Sequence, residues 1–213
     1  WNWSVRPGVG NVAPFAECLG PLTGVYVLKN VCYVLVNSAA TSQVFLAVAA
    51  HQSMYSVWVL LAFCATPLER AAISFLPTAK PGEVVELEEL LAGMALGLGA
   101  ALSAVCAAVA LLCPDILSQD ERVWEFFAGV APQAFLSLTV NALDAAFNGI
   151  LLARRDFTFL LSAMAATMVV LYAYNSWLVD QGYGLPGVWW GLVLFVVLRW
   201  VAVYIRYRFF VRK

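Results

Sequence analysis

Apolar runs of about 20 residues or more recur along the whole chain, and short polar or charged breaks separate them. That pattern predicts six helices, each long enough to cross a bilayer. They run from about Pro21 to Ala40, Gln43 to Ala65, Leu90 to Cys113, Arg122 to Ala153, Phe157 to Val179 and Pro186 to Tyr207. Pro67 is expected to kink the second span into an amphipathic extension toward Phe75. The fourth is longer than a perpendicular crossing needs, which calls for tilt, protrusion or a kink at Pro132. Residues 1–20, rich in Gly and Pro, read as a linker or membrane-surface segment ahead of a lobe over 21–213. The fold class is an all-α integral membrane bundle of six transmembrane helices.

Composition supports this reading: 63% of residues are hydrophobic and 12% charged, with a mean hydropathy of +0.83. A soluble domain carries about a quarter charged residues. The placement of charge says more than the net of -1. Arg6, Arg70, Lys80, Arg154, Arg155, Arg206, Arg208, Arg212 and Lys213 fall on one side of a six-span arrangement, and Arg122 alone falls in the opposite loops. The positive-inside bias then places both termini in the cytoplasm or the equivalent stroma. No basic patch is interleaved with exposed aromatics, so nucleic acid is not a partner on this reading. The five cysteines are odd in number and form no CxxC, and they read as small packing residues. The chain opens at Trp1 without methionine, and nothing at its start resembles a signal or transit peptide, the pattern of a processed product or a fragment.

The polar residues inside the spans carry the candidate chemistry. Asp144 is the one charge in the 28 residues from Phe126 to Ala153. A carboxylate at bilayer depth costs about 2.5–3.5 kcal/mol on insertion scales and more on an isolated helix, so it should face a protein interior or a wet cavity. Gln133, Ser137, Asn141, Asp144 and Asn148 follow at steps of 4, 4, 3 and 4, which keeps them on one helical face. Such a stripe is expected to line a hydrated cavity, the plainer reading being a structural anchor to a neighbouring helix. Tyr26, Lys29, Asn30, Tyr33 and Asn37 form a second stripe on the first span. Lys29 either snorkels to the basic face or faces the same cavity as counter-ion to Asp144. His51, followed by Gln52, reads as a hydrogen-bonded packing residue more readily than as a proton carrier. Glu69 and Arg70 are expected to form interfacial ion pairs. Gly93, Gly97 and Gly99, which include a GxxxG, read as close static packing between helices, with a sliding interface as the alternative.

Enzyme signatures are missing. The chain has no GxGD with a second intramembrane Asp, no GxSxG elbow, no HExxH and no phosphate-binding loop. A single histidine leaves little for metal or acid–base chemistry, and no metal site or cofactor is expected. A transporter fits better than a catalyst.

Four segments carry a family resemblance: LKNVCYVLVNSAATSQVFLAVAAHQ (28–52), PLERAAISFLP (67–77), NALDAAFNGILLARRDFTFL (141–160) and GLPGVWWGLVLFVVLR (184–199). The AAHQ after a short turn, and the polar segment ending in ARRD, are its more specific parts. The chain resembles the multidrug and toxic compound extrusion (MATE) transporters, most of all their plant and algal branch with its plastid members. It is similar to the second of the family's two six-helix lobes, helices seven to twelve. The resemblance implies an antiporter exporting organic solutes, with a preceding first lobe as the missing partner and membrane lipid around it. The second lobe alone is not expected to transport. It also implies that Asp144 stands at the family's tenth-helix carboxylate. Counting back about 22 residues from His51 reaches Lys29, where many members carry a Glu, so proton coupling is expected ahead of sodium.

The expected function is therefore one lobe of a cation-coupled exporter with Asp144 as protonatable switch and Lys29 as its partner. A lipid-linked flippase-like lobe and a non-transporting membrane scaffold remain as alternatives. Plastid envelope, plasma membrane and vacuole all stay open. Aromatic residues (Tyr55, Trp58, Phe147, Tyr172, Tyr174) are numerous but also fill packing and interfacial belts; an aromatic phenolate or small organic acid would suit Lys29.

Overall fold

The computed structural model describes residues 13–80 and 82–211. Eight α-helices follow in order: α1 (Ala13–Thr41), α2 (Phe45–Phe63), α3 (Thr66–Phe75), α4 (Val84–Leu112), α5 (Pro114–Leu117), α6 (Trp124–Ala153), α7 (Phe157–Gln181) and α8 (Gly184–Arg206). Six stretches are long and apolar enough to cross a membrane: Leu19–Thr41, Phe45–Thr78, Val84–Leu112, Glu121–Ala153, Phe157–Val179 and Gly184–Phe210. The multi-pass bundle expected from the apolar runs is therefore present. One boundary moves: residues 13–20 belong to α1 rather than to a linker, and residues 1–12 of that segment lie outside the described residues. Pro21 sits inside α1 at its ninth residue, where it removes one i→i−4 hydrogen bond without ending the helix.

Pro67 acts as expected. It occupies the first turn of α3, where a missing N–H is no loss, and the amphipathic helix it starts runs to Phe75. Pro132 does not end α6, which continues unbroken to Ala153. The Gln133 amide nitrogen, turned back onto its own helix, reaches the carbonyls of Gly129 (3.1 Å) and Val130 (3.2 Å). This supplies donors beside the turn where proline removes one. At the start of α6, Asp120 accepts hydrogen bonds from Arg122 N, Nε and Nη2 at 3.1, 3.0 and 2.8 Å. Those side-chain bonds hold its carboxyl below the usual carboxylate range.

α6 is the hub, packed against α4 and α8 along its length and against α2 and α3 in part. Close approach explains two glycines. A Cβ on Gly99 of α4 would stand 2.9 Å from Ala142 Cβ and 3.0 Å from the Thr139 carbonyl oxygen of α6. One on Gly149 of α6 would stand 2.8 Å from both Ala72 Cβ and the Glu69 carbonyl oxygen of α3. Gly93 and Gly97 behave otherwise: a Cβ at either meets no described atom within 4 Å. The GxxxG pair thus packs against no described helix, because it lies on the exposed side of α4, and only Gly99 makes the expected close contact.

The end of the bundle rich in basic residues is tied by ion pairs. Glu88 of α4, 1% exposed, pairs with Arg154 at the α6–α7 turn and accepts from Tyr207 Oη at 3.0 Å. Asp156 accepts from Arg206 Nε at 2.7 Å. The ARRD turn therefore ties α4 and the end of α8 to the α6–α7 connection. Arg155 takes a left-handed conformation there (φ 58°), in the place a glycine usually fills at a helix end. The four described cysteines are free, Cys32 and Cys106 buried and Cys64 and Cys113 exposed.

Candidate functional site

Asp144 is 2% exposed and Arg199 5%, and they form an ion pair across the α6–α8 seam, Nη2 to Oδ2 at 2.6 Å. This corrects the expected pairing with Lys29. The direct counter-ion comes from the last helix, whose planar guanidinium is suited to a carboxylate in a buried seam. Asp144 Oδ1 and Arg199 Nη1 are buried and have no hydrogen-bond partner among the described residues. The pair is thus held by one contact and keeps one acceptor and one donor in reserve. The guanidinium carbon also lies 5.3 Å from the centre of the Phe195 ring.

Beside the pair lies a cavity of about 420 Å³, bounded by α1, α2, α3 and α6. Lys29, Asn30 and Tyr33 line it from α1, Tyr55 and Trp58 from α2, Glu69 from α3, and Asn141 and Asp144 from α6. Lys29 therefore faces the same space as Asp144, yet no carboxylate oxygen among the described residues lies within 4 Å of its ammonium.

The rest of the two polar stripes is spent on helix contacts. Ser137 accepts from Trp58 Nε1 at 2.8 Å and donates to the Ala134 carbonyl at 3.0 Å, which leaves it no part in the lining. Gln133 is turned onto α6 as described above. Asn148 donates to Glu69 Oε2 at 3.0 Å, and Tyr26 donates to Glu69 Oε1 at 3.1 Å. Asn37 donates to the Tyr33 carbonyl at 2.8 Å and meets His51 Nε2 at 3.2 Å. The five-residue stripe on α6 is a cavity wall only at Asn141 and Asp144. A periodicity of 3.6 places residues on one face, but α8, α2 and α3 cover different stretches of that face.

His51 is fully buried. It stacks on Tyr55 (ring centres 5.3 Å apart) and meets Trp189 edge-on at 5.9 Å. Gln52 beside it is exposed. Of the remaining aromatics, Phe147 packs against Tyr204 and Tyr207, Tyr174 donates to the Gly187 carbonyl at 2.9 Å, and Tyr172 is exposed. These do not line the cavity.

Two functional candidates escaped the sequence. Arg199 lies seven residues before Arg206, and Asp144 ten before Arg154. Measured from the same end of the bundle, those intervals are about 10 and 15 Å of helical rise. Matching depth of opposite charges was the available signal. Glu69, expected with Arg70 in interfacial ion pairs, is instead turned inward by α3, and it joins Tyr26 of α1 to Asn148 of α6 while Arg70 is exposed.

No family model matches the chain. It is similar to two chloroplastic proteins of Arabidopsis thaliana. With DETOXIFICATION 47 it is 28% identical over 173 residues, covering 78% of this chain and 32% of that protein. With DETOXIFICATION 44 it is 29% identical over 209 residues, covering 91% and 38%. The chain thus spans less than two fifths of the length of these relatives. Among solved structures, a MOP superfamily transporter from Pyrococcus furiosus matches with a TM-score of 0.73 over 90% of this chain and 43% of that one. At 14% identity that likeness gives the fold alone. The relatives bear out the resemblance to plastid-type MATE proteins, and the structural match has the proportions of one lobe.

Proposed function

We propose that this chain is the second six-helix lobe of a proton-coupled MATE-type antiporter, working with a first lobe to export organic solutes across a plastid membrane. The observation that carries the reading is the buried Asp144–Arg199 pair at the wall of the cavity. A proton arriving on Asp144 removes the negative half of the pair. Arg199 then holds a charge with no counter-ion, because a guanidinium keeps its proton at any working pH. An uncompensated charge in that seam is unfavourable by several kcal/mol, so α8 and α6 must repack or Arg199 must find an anion. Protonation thus becomes a change of helix packing.

Sodium suits the site less well. A sodium ion needs several oxygen ligands, and here a guanidinium occupies one carboxylate oxygen at 2.6 Å and would repel the ion. The basic end, carrying Arg70, Lys80, Arg154, Arg155, Arg206 and Arg208, faces the stroma or cytoplasm on the positive-inside rule. The test is efflux from proteoliposomes holding the full-length protein, with proton and sodium gradients imposed separately. The proton gradient alone should drive efflux, and Asp144→Asn should abolish it while correctly inserted protein persists. Sodium-driven efflux, or full proton-driven efflux by Asp144→Asn, would refute the coupling.

A further inference from the structure

Four charged side chains lie in or beside the cavity, and they do not cancel locally. Asp144 and Arg199 neutralise each other in the α6–α8 seam. That leaves Lys29 and Glu69, both lining the void. Among the described residues, neither has an opposite charge within 4 Å. Glu69 accepts one hydrogen bond at each oxygen, both from uncharged donors, Tyr26 and Asn148. A carboxylate has about four acceptor sites, so each oxygen keeps room for another donor. Lys29 stands three residues, about 4.5 Å of helical rise, beyond Tyr26 on α1. The two unneutralised charges therefore face one void from neighbouring levels.

The walls between them are aromatic. Tyr55 and Trp58 are stacked side by side, with ring centres 5.9 Å apart and planes 9° apart. Tyr33 meets Trp58 edge-on at 6.2 Å. Trp58 is 1% exposed and its indole N–H is committed to Ser137, so it backs the wall, and the half-buried Tyr55 and Tyr33 rings are what an occupant meets. The volume of about 420 Å³ lies within the range of roughly 300–1,000 Å³ typical of small-molecule sites.

We propose that the cavity binds a zwitterionic solute with a flat apolar body, its carboxylate on Lys29 and its ammonium on Glu69. This deepens the transport reading above by naming the solute class, and it rests on that reading for its role in export. A purely cationic solute would meet Lys29, and a purely anionic one Glu69. Only a solute bearing both charges supplies a partner to each, while its body lies against the half-buried Tyr55 and Tyr33 rings.

Equilibrium binding to the purified full-length protein tests this without any gradient. The probes are phenylalanine, phenylpropanoate (which lacks the ammonium) and phenylethylamine (which lacks the carboxylate), each titrated calorimetrically at neutral pH. Phenylalanine should bind about tenfold tighter or more than either, the ratio that one charge-assisted hydrogen bond supplies. Lys29→Met should remove the preference over phenylethylamine, and Glu69→Gln the preference over phenylpropanoate. Equal binding of the three probes by the unaltered protein, tighter binding of either singly charged one, or no saturable binding of phenylalanine overturns the proposal. Because binding needs no ion gradient, a failed coupling assay leaves this result readable. A failed binding result likewise leaves the proton-coupling test standing.

Discussion

Arg199→Met is the most informative single change, because it orphans Asp144 while filling nearly the same space. The side chains of the pair are 6% and 3% exposed and meet at 2.6 Å. Removing one partner of a buried pair costs about 3–5 kcal/mol, since the remaining charge stays desolvated. The lower end applies here, because an unfolded chain in lipid or detergent finds partners of its own. The double variant Asp144→Asn/Arg199→Met leaves no charge in the seam and should fall within about 1 kcal/mol of the unaltered protein. The cycle should then return a coupling of at least about 3 kcal/mol, read from unfolding of the full-length protein in mixed micelles.

The two single variants should part company with pH. In Arg199→Met the orphaned carboxylate can shed its penalty by taking up a proton in the folded state. The folded protein then binds more protons than the unfolded one, so stability falls as pH rises through the window in which that proton is lost. In Asp144→Asn the orphan is a guanidinium that keeps its charge throughout, and the penalty should be flat over the same window. The reasoning fails if Arg199→Met matches the unaltered protein within about 0.5 kcal/mol, or if the double variant is as destabilised as the two singles added.

Four further outcomes follow from packing and hydrogen bonding. Gly149→Ala should destabilise by about 1–3 kcal/mol through overpacking, since its Cβ meets the α3 backbone at Glu69. Gly97→Ala, facing no described atom, should be neutral or stabilising by up to about 1 kcal/mol on helix propensity, and the same unfolding titration reads both. Trp58→Phe should cost about 0.5–1.5 kcal/mol for the lost bond to Ser137, and Trp58→Phe/Ser137→Ala should cost little more than the single change if that bond is the cause. Glu88→Gln should cost about 1–3 kcal/mol by removing the charge that Arg154 and Tyr207 share, an effect that added salt should reduce little because Glu88 is 1% exposed.

Spans and the break at Pro67 were readable because a bilayer imposes length and apolarity locally, residue by residue. Pro67 started a new helix as a proline in a first turn should. Asp144 was readable as a carboxylate that needs a buried partner because its isolation carries a cost that any fold must answer. The identity of its partner was not, since α6 and α8 are joined through α7 and no sequence period links residue 144 to residue 199. Lys29 was nearer the mark than its pairing suggested: it reached the right cavity but not the carboxylate. Glu69 was misread because amphipathicity alone does not say which neighbour the polar face of α3 meets. Gly149, tight against that neighbour, was the cue that α3 lies on α6 rather than on the membrane surface.

Asp144 lies along α6 between two close helix contacts, Gly99 of α4 against Thr139 and Ala142, and α3 against Gly149. Both contacts are backbone-tight, so α3, α4 and α6 have little slack between them. The α6–α8 seam is different at this depth, because its polar bond there is one ion pair with an unused oxygen and an unused nitrogen. Arg206–Asp156 and Tyr207–Glu88 hold the far end of α8 as a pivot. On the proposed mechanism a proton therefore acts on one seam and leaves the other two intact. α3, α4 and α6 should move as a body relative to α8, and Glu69 on α3 moves with them. Tyr26 on α1 is hydrogen-bonded to that same carboxylate, so the shift reaches the α1 wall, where Lys29 stands. Proton uptake at Asp144 and solute contact at Glu69 and Lys29 are then two readings of one displacement, which is what an antiporter lobe requires.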